Sequence, residues 1–339
     1  MSNIVTLADG STARPARLDD APDMLAIYYA VSQKLIGEPE ETLEEIVDTM
    51  QEPFVDLDRD VRVVHTPQGE LIGLGWVYLR LLRDVEIDLY MHPDYWATDT
   101  VVMPYLTAWA ETRARDALAL VPEHERVTVT AWCYHNDDWY QAHLRQLGLE
   151  VVRSSYLMWI DFNELLPAPV LPAGVTIREF RRDEDWHYVF DVRREAWLDM
   201  WGFVPRTYEE DYTDWRHYWE KNFHEGYWFV AEKDGAAVGV CLGEPTYNGA
   251  DDVAYIASVG VRRANRRQGI AFSLLTSALA QFQARGKRAA SLYVDASSLT
   301  GAVALYERAG MHVKRRFDRM QKELRAGVDQ RVQVAGELE

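Results

Sequence analysis

The sequence predicts an α/β (α+β) protein built from two copies of one fold. Three observations carry this: the 339-residue length, a proline-rich interruption near the middle, and an order of strand and helix signals that occurs twice. A chain this long exceeds one ordinary domain and suits two of about 150–170 residues. Apolar residues make up 48%, with 12 Trp and 18 Tyr, enough for two cores. The interruption is residues 163–174, NELLPAPVLPAG, whose three prolines break any helix or central strand. It is predicted to link a domain at 1–162 to a domain at 175–324, with a loose tail at 325–339.

In the first half, residues 12–18 read as a strand, and helical spacing follows over 21–34 and 40–50. Residues 61–66 and 71–82 form a hairpin, and 85–91 is the next strand. Residues 99–118 are helical, 127–132 a strand, 137–146 a helix closed by Gly148, and 149–161 a last strand. The second half runs the same way. Residues 175–180 alternate as a strand, 183–200 begin with acidic residues suited to a helix start, and 208–223 form a second helix rich in Trp. Strands at 227–233 and 237–245 join through Asp234-Gly235, a hairpin signal. Then come a strand at 253–261, a helix at 267–284, a strand at 288–294, a helix at 298–309 closed by Gly310, and a strand at 311–324. Gly148 and Gly310 stand 162 residues apart, Asp99 and Gly269 stand 170 apart, so the two copies keep a nearly constant offset.

Charge divides the chain unevenly. The net charge is −18, which argues against binding nucleic acid, whose phosphates need Lys and Arg. Residues 1–169 hold 12 Lys and Arg against 29 Asp and Glu, whereas 170–339 hold 24 against 25. The first half therefore repels anions and attracts cations. No apolar run approaches the ~20 residues that span a bilayer, and the N-terminus lacks the features of a signal peptide. Cys133 and Cys241 have no near partner, so neither a disulfide framework nor a metal site is expected, and a cytoplasmic location is.

The segment with chemical content is 258–271, SVGVRRANRRQGIA. A short apolar strand, a basic loop and Gly269 precede an amphipathic helix, whose unpaired N–H groups and positive dipole end suit an anion. Gly269 lets backbone approach a pyrophosphate without a Cβ in the way. RRQGIA at 266–271 resembles the R/Q-x-x-G-x-G/A signature of the GNAT superfamily of acyl-CoA N-acyltransferases, with its Gly269 eight residues beyond Val261. Residues 295–311, DASSLTGAVALYERAGM, resemble the family's second signature, a helix ending in L-Y-E-x-x-G-F/M. The resemblance covers 175–324 through both signatures and 12–162 through element order. It implies two tandem GNAT folds, each a mixed, mostly antiparallel splayed sheet flanked by helices. The arrangement is similar to that of the mycothiol synthase family.

The resemblance also implies acetyl-CoA as cofactor, held by Val259, Gly260, Val261, Arg266, Arg267, Gln268, Gly269, Ile270 and Ala271, with Ser298 where many relatives carry Asn. It gives Tyr306 the place of the tyrosine aimed at the cofactor sulfur. A thiol has pKa about 8.5 and a tyrosine about 10, so full proton transfer is uphill by roughly 2 kcal/mol and Tyr306 serves as a hydrogen-bond donor to the departing sulfur. Glu244, Asp252 and Tyr255 are candidates for the base that accepts the amine proton, Glu244 preferred. Trp197, Asp199, Trp201 and Glu209 lie in the two early helices, where relatives bind the acceptor.

In the first copy Met91 aligns with Val261, Trp96 with Arg266, Asp99 with Gly269 and Leu144 with Tyr306. An aspartate replaces the glycine and the tyrosine is gone, so this half is predicted to be a degenerate GNAT fold that shapes or stabilises the other. His92, His135 and His143 lack ligand spacing. The expected function is acetyl-CoA-dependent transfer to a primary amine of a small molecule (amino-sugar, aminoglycoside or polyamine-like), with no nucleic acid or membrane partner, as monomer or homodimer. Protein or peptide N-acetylation and non-catalytic sensing of acetyl-CoA are the alternatives.

Overall fold

A computed structural model of the chain describes residues 4–204, 206–298, 301–329 and 331. The first half runs β1 (Val5–Thr6), β2 (Thr12–Pro15), α1 (Ala21–Ile36), α2 (Leu43–Met50), α3 (Leu57–Asp60), β3 (Val61–His65), β4 (Leu71–Tyr78), β5 (Asp84–Met91), α4 (Val102–Ala114), β6 (Val127–Tyr134), α5 (Asp138–Gln146) and β7 (Glu150–Asp161). The second runs β8 (Val175–Glu179), α6 (Trp186–Trp197), α7 (Tyr208–Lys221), β9 (Trp228–Lys233), β10 (Ala236–Glu244), β11 (Val253–Val261), α8 (Ile270–Ala284), β12 (Ala289–Asp295), α9 (Ala302–Arg308) and β13 (His312–Arg325). The order β-α-α-β-β-β-α-β-α-β holds in both. The extra β1 and α3 span two and four residues, too few to show a period. The helix expected from 298 begins at Ala302, and residues 299–300 lie outside the described residues.

Two compact units form, and their membership crosses the midpoint of the sequence. One takes the described residues up to Ser154 together with Phe317–Asp329; the other takes Ser155–Arg316. The first unit's sheet has the order β1-β2-β3-β4-β5-β6-β13 and the second's β7-β12-β11-β10-β9-β8. Neighbouring strands are antiparallel except β5 with β6 and β11 with β12. The final strands of the halves are thus exchanged. Ser155–Asp161 of β7 pair with β12, and Phe317–Arg325 of β13 pair with β6. Polar contacts pin this register: Asp318 accepts from Ser154 Oγ at 2.6 Å, and Gln321 reaches Thr130 Oγ1 at 3.0 Å.

Residues 163–174, read as the linker, run along α8 inside the second unit, where Ser273 Oγ donates to Val170 O at 2.8 Å. Residues 325–329, read as the start of a loose tail, are bonded into the first unit. Val328 N–H donates to His124 O at 2.9 Å, and Arg126 pairs with Asp329 at 2.9 Å. The rest of the expected tail, Arg331 apart, lies outside the described residues. Among the described residues no helix is long and apolar enough to cross a membrane.

In the second unit the helices cover opposite faces of the sheet. A Cβ on Gly260 would meet Ala196 of α6, whereas one on its neighbour across the ladder's next residue, Gly239, would meet Leu274 of α8. The α6/α7 face is packed by Phe180, Trp186, Phe190, Trp215, Trp219 and Trp228, rings within about 5–6 Å of one another in edge and tilted pairs. The α8 face buries Ile270, Leu274, Leu275, Ala278, Leu279 and Phe282, the i, i+4 stripe of an amphipathic helix.

Candidate active site

Beyond Val261 the chain makes a short turn at Arg263–Asn265, then takes two left-handed residues, Arg267 at φ 62° and Gly269 at φ 84°, before α8 begins. Gly269 suits this backbone because it has no Cβ to clash. The helix has no side-chain cap, and its first internal bond runs from Ser273 N–H to Gly269 O at 3.0 Å. The first-turn N–H groups therefore point out of an exposed turn, the arrangement that receives a phosphate.

The arginines of the loop divide into anchors and one open cation. Asp199, buried at 4% exposure, holds Arg263 at 2.6 Å and Arg266 at 2.5 Å, and Arg266 Nε also donates to Val261 O at 3.1 Å. Glu195 holds Arg262 at 2.9 Å and accepts from Arg263 N–H at 2.7 Å. Gln268 accepts from Lys233 at 2.8 Å. Arg267 is exposed and makes no ion pair among the described residues. Two readings change here. Arg266 shapes the loop from inside, and Asp199, read as an acceptor contact, is enclosed and neutralised by two guanidinium groups.

Beside this loop the sheet opens. β11 and β12 pair at Val253↔Ala289, Ala254↔Ala290 and Tyr255↔Ser291, and no further. β12 stays bonded to β7 on its other side as far as Asp295↔Ser155, so it is β11 that parts from it. Arg262 N–H donates to Val238 O on β10 at 2.9 Å. By the alternation of a strand, Val261 and Val259 turn their N–H and C=O away from β10, into the opening. Gly260 faces the other way. It pairs with Val240, and a Cβ there would stand 2.9 Å from Ala196 Cβ, so its service is to let α6 approach rather than to line the opening. Ile270 has a buried side chain and offers only its backbone N–H. Ala271 is half-buried in that same first turn, and Ser298 sits just past β12, its N–H on Asp295 O at 3.0 Å.

Tyr306, on α9, is buried at 8% exposure, and its hydroxyl makes no hydrogen bond among the described residues. Burial, with a smaller effect of Cys241, holds it above the usual tyrosine range, so it stays protonated and able to donate. Glu244 ends β10 directly opposite Tyr255. Burial raises its carboxyl above the ordinary glutamate range, and burial likewise raises Tyr255, helped by Tyr293 and Glu244. Asp252 is elsewhere. It precedes β11, roughly 20 Å of strand from Ser258, and is exposed and paired with Arg288, which removes it as a base beside the opening.

On the α6 side Trp197 Nε1 donates to Ser258 Oγ at 3.3 Å, and Arg193 stacks on the Trp197 ring at 4.0 Å. Arg193 escaped the sequence reading. Burial lowers its guanidinium to about 10, against a partial pull from Asp211. Trp201 is half-buried with Arg331 over its ring at 6.0 Å, and Glu209 is exposed in the first turn of α7, where it complements the helix dipole.

The first unit keeps this architecture and fills it with its own side chains. β5 and β6 also pair over three residues and part after Glu86↔Thr130. Here Asp99 accepts from the N–H groups of Val101, Val102 and Met103 at 3.0, 2.8 and 2.9 Å, so its carboxylate takes the donors a phosphate would use. The Tyr140 hydroxyl accepts from the N–H of Leu89, the position aligned with Val259, at 3.2 Å. Trp96 Nε1 donates to Met91 O at 2.8 Å, as Arg266 does to Val261, and stacks on Trp139 at 4.8 Å.

A mixed sheet parted at its one parallel pair, ending in an uncapped glycine turn, defines a coenzyme A-type acyltransferase fold. The chain belongs to the GNAT family: it is a GNAT acetyltransferase with two tandem GNAT folds. Residues 186–311 match the Acetyltransferase (GNAT) family. A GCN5-related N-acetyltransferase from Sphaerobacter thermophilus is 31% identical with a TM-score of 0.83, covering 96% of this chain and 99% of that one. A mycothiol acetyltransferase of Streptomyces scabiei (strain 87.22) is 31% identical over 216 residues, 63% of this chain and 67% of the relative. One of Streptomyces bingchenggensis (strain BCW-1) is 29% identical over 74% of this chain and 77% of its own. The tandem GNAT protein from the clavulanic acid biosynthesis pathway shares the fold, at 16% identity and a TM-score of 0.69 over 94% of this chain and all of that one, 100%.

Proposed function

We propose that the second unit transfers an acetyl group from acetyl-coenzyme A to the primary amine of a small molecule. The observation that carries this is the parting of β11 from β12 after Tyr255↔Ser291, with the uncapped turn at Gly269 next to it. The turn at 266–271 receives the pyrophosphate, with Arg267 beside it. Val259 and Val261 offer backbone N–H and C=O groups to the pantetheine arm, and one of these N–H groups polarises the thioester carbonyl. Glu244 takes the proton of the incoming ammonium, directly or through water, because its raised pKa makes it a better base than an ordinary carboxylate. The amine attacks, the oxyanion collapses as the C–S bond breaks, and Tyr306 donates a hydrogen bond to the departing thiolate, while the second proton of the attacking nitrogen passes to that thiolate or to water.

The mycothiol acetyltransferase relatives support a small-molecule acceptor. Arg193 beside Trp197 and Ser258 favours an acceptor bearing oxygen groups next to its amine, hence an amino-sugar or aminoglycoside over a bare polyamine. Both cysteines are buried and unpaired, which suits the cytoplasm. The test is steady-state release of free thiol from acetyl-coenzyme A with amino-sugars, aminoglycosides, polyamines and peptides. Turnover restricted to peptide N-termini, or coenzyme binding with no turnover, would set this reading aside.

A further inference from the structure

The filled coenzyme slot is not the whole of the first unit. On β5 the side chains of Glu86, Asp88 and Tyr90 alternate onto one face, and Tyr78, Trp76 and Leu74 of β4 stand opposite them in unbroken register. Helix α1 covers this face. Its Tyr28 lies 4.6 Å from the Tyr90 ring and accepts from Trp76 Nε1 at 2.8 Å. The Trp76 ring stacks on Tyr78 at 5.6 Å. Glu41, one residue before the cap of α2, is close enough to act electrostatically on Asp88, Tyr28, Tyr78 and Tyr90. Three carboxylates and four aromatic rings therefore converge.

Asp88, Tyr78 and Tyr90 are deeply surrounded by protein, yet each keeps some contact with solvent and none has a hydrogen-bond partner for its side-chain oxygens among the described residues. Polar groups that are enclosed, wetted and unpartnered line a cavity. The basic group acting on this set is Arg319, which reaches Glu86 but is itself bonded to Asp84. Burial first, then the neighbouring carboxylates, raises Glu86, Asp88 and Glu41, the last to about 7. A positive ligand would relieve this crowding. No group of three or more His, Cys, Asp or Glu among the described residues is arranged to hold a metal, and the walls are aromatic, the surroundings that favour an organic cation.

The place has a counterpart. Tyr78↔Glu86 stands where Glu244↔Tyr255 stands in the second unit, since in each case the parallel pair ends with the residue on the later strand. We propose that the first unit binds a small organic ammonium ion in this tyrosine- and carboxylate-lined cavity, a non-catalytic site separate from the acceptor site of the second unit. This copy has lost the coenzyme side of the fold and retains the amine side.

The test is calorimetric titration of the full chain, without coenzyme, with tetramethylammonium, putrescine and spermidine in turn. At least one binds the wild type and raises its melting temperature. Asp88→Asn weakens that binding tenfold or more, while Glu244→Gln leaves it within about twofold. Burial and the neighbouring carboxylates disfavour the charged form of Asp88 in the empty protein, so Asp88→Asn folds and melts no lower than wild type, which separates lost binding from lost structure. The proposal is overturned if all three probes at millimolar concentration give neither heat nor a melting shift. Equal affinity in Asp88→Asn, loss in Glu244→Gln alone, or tighter binding of Mg²⁺ or Ca²⁺ than of any ammonium overturns it as well.

Discussion

A carboxylate in the first turn of a helix competes with a phosphate for the same N–H groups. Asp99 does so in the first unit, and Gly269 leaves the equivalent donors bare in the second. Gly269→Asp should therefore copy the closed turn into the working unit. Affinity for coenzyme A should fall at least 100-fold in a calorimetric titration, with an unchanged circular dichroism spectrum. Tyr306→Phe removes the hydroxyl proposed to meet the leaving sulfur and should lower kcat roughly 100-fold, with KM for acetyl-coenzyme A nearly constant. Glu244 has a raised pKa, so it deprotonates later than an ordinary glutamate as pH climbs. The rate should rise through a limb displaced above the usual glutamate range, and Glu244→Gln should flatten that limb in a pH profile of kcat/KM. At this scale the sequence singled out residues set in a motif and misread those defined by distant partners. Asp199 looked like an open acidic contact because the arginines that enclose it arrive 64 and 67 residues later. Arg193 had no motif around it and gains meaning only where α6 crosses Gly260 and Ser258.

Individual strands and helices were legible because their periods are intact: the α8 stripe, the alternation in β5 and the Asp234-Gly235 hairpin all fold as their spacing requires. The parting of β11 from β12 was expected from family resemblance alone, since nothing in the residues of either strand says where a ladder stops. A register shift between β10 and β11 at Leu242/Gly243, which skips Ala257, is likewise invisible in the sequence. Gly260 lies close against Ala196 of α6. Gly260→Val would drive two branches into α6 and should cost about 1–3 kcal/mol in a urea titration. Its kinetic signature should be a higher KM for the amine with coenzyme affinity preserved, because the backbone of Val259 and Val261 faces the other way.

For the molecule as a whole, one coenzyme A per chain is the expected stoichiometry, with Asp99, Tyr140 and Trp96 each occupying a separate part of the first slot. Asp99→Gly alone should leave that number at one, because the two aromatic plugs remain; a second site in the titration of this variant would contradict the account. The strand exchange makes a further demand. A fragment cut at the proline-rich segment, 175–339, lacks β7 and keeps a β13 with no β6 to pair with. It should express as an aggregating or molten species, judged by the absence of a cooperative melting transition. Period and composition cannot reveal such an exchange, because a strand's own spacing does not encode its partner.

The exchange also sets a clock. The first unit's sheet is finished by residues 317–325, so when the ribosome has made 154 residues that unit still exposes one side of β6. At ordinary bacterial-to-eukaryotic elongation speeds of about 5–20 residues per second, the wait is on the order of 10–30 s. Throughout that interval an unpaired strand edge is available to neighbouring nascent chains. Synthesis of this protein thus carries a window of vulnerability that a pair of independently closing domains would not have.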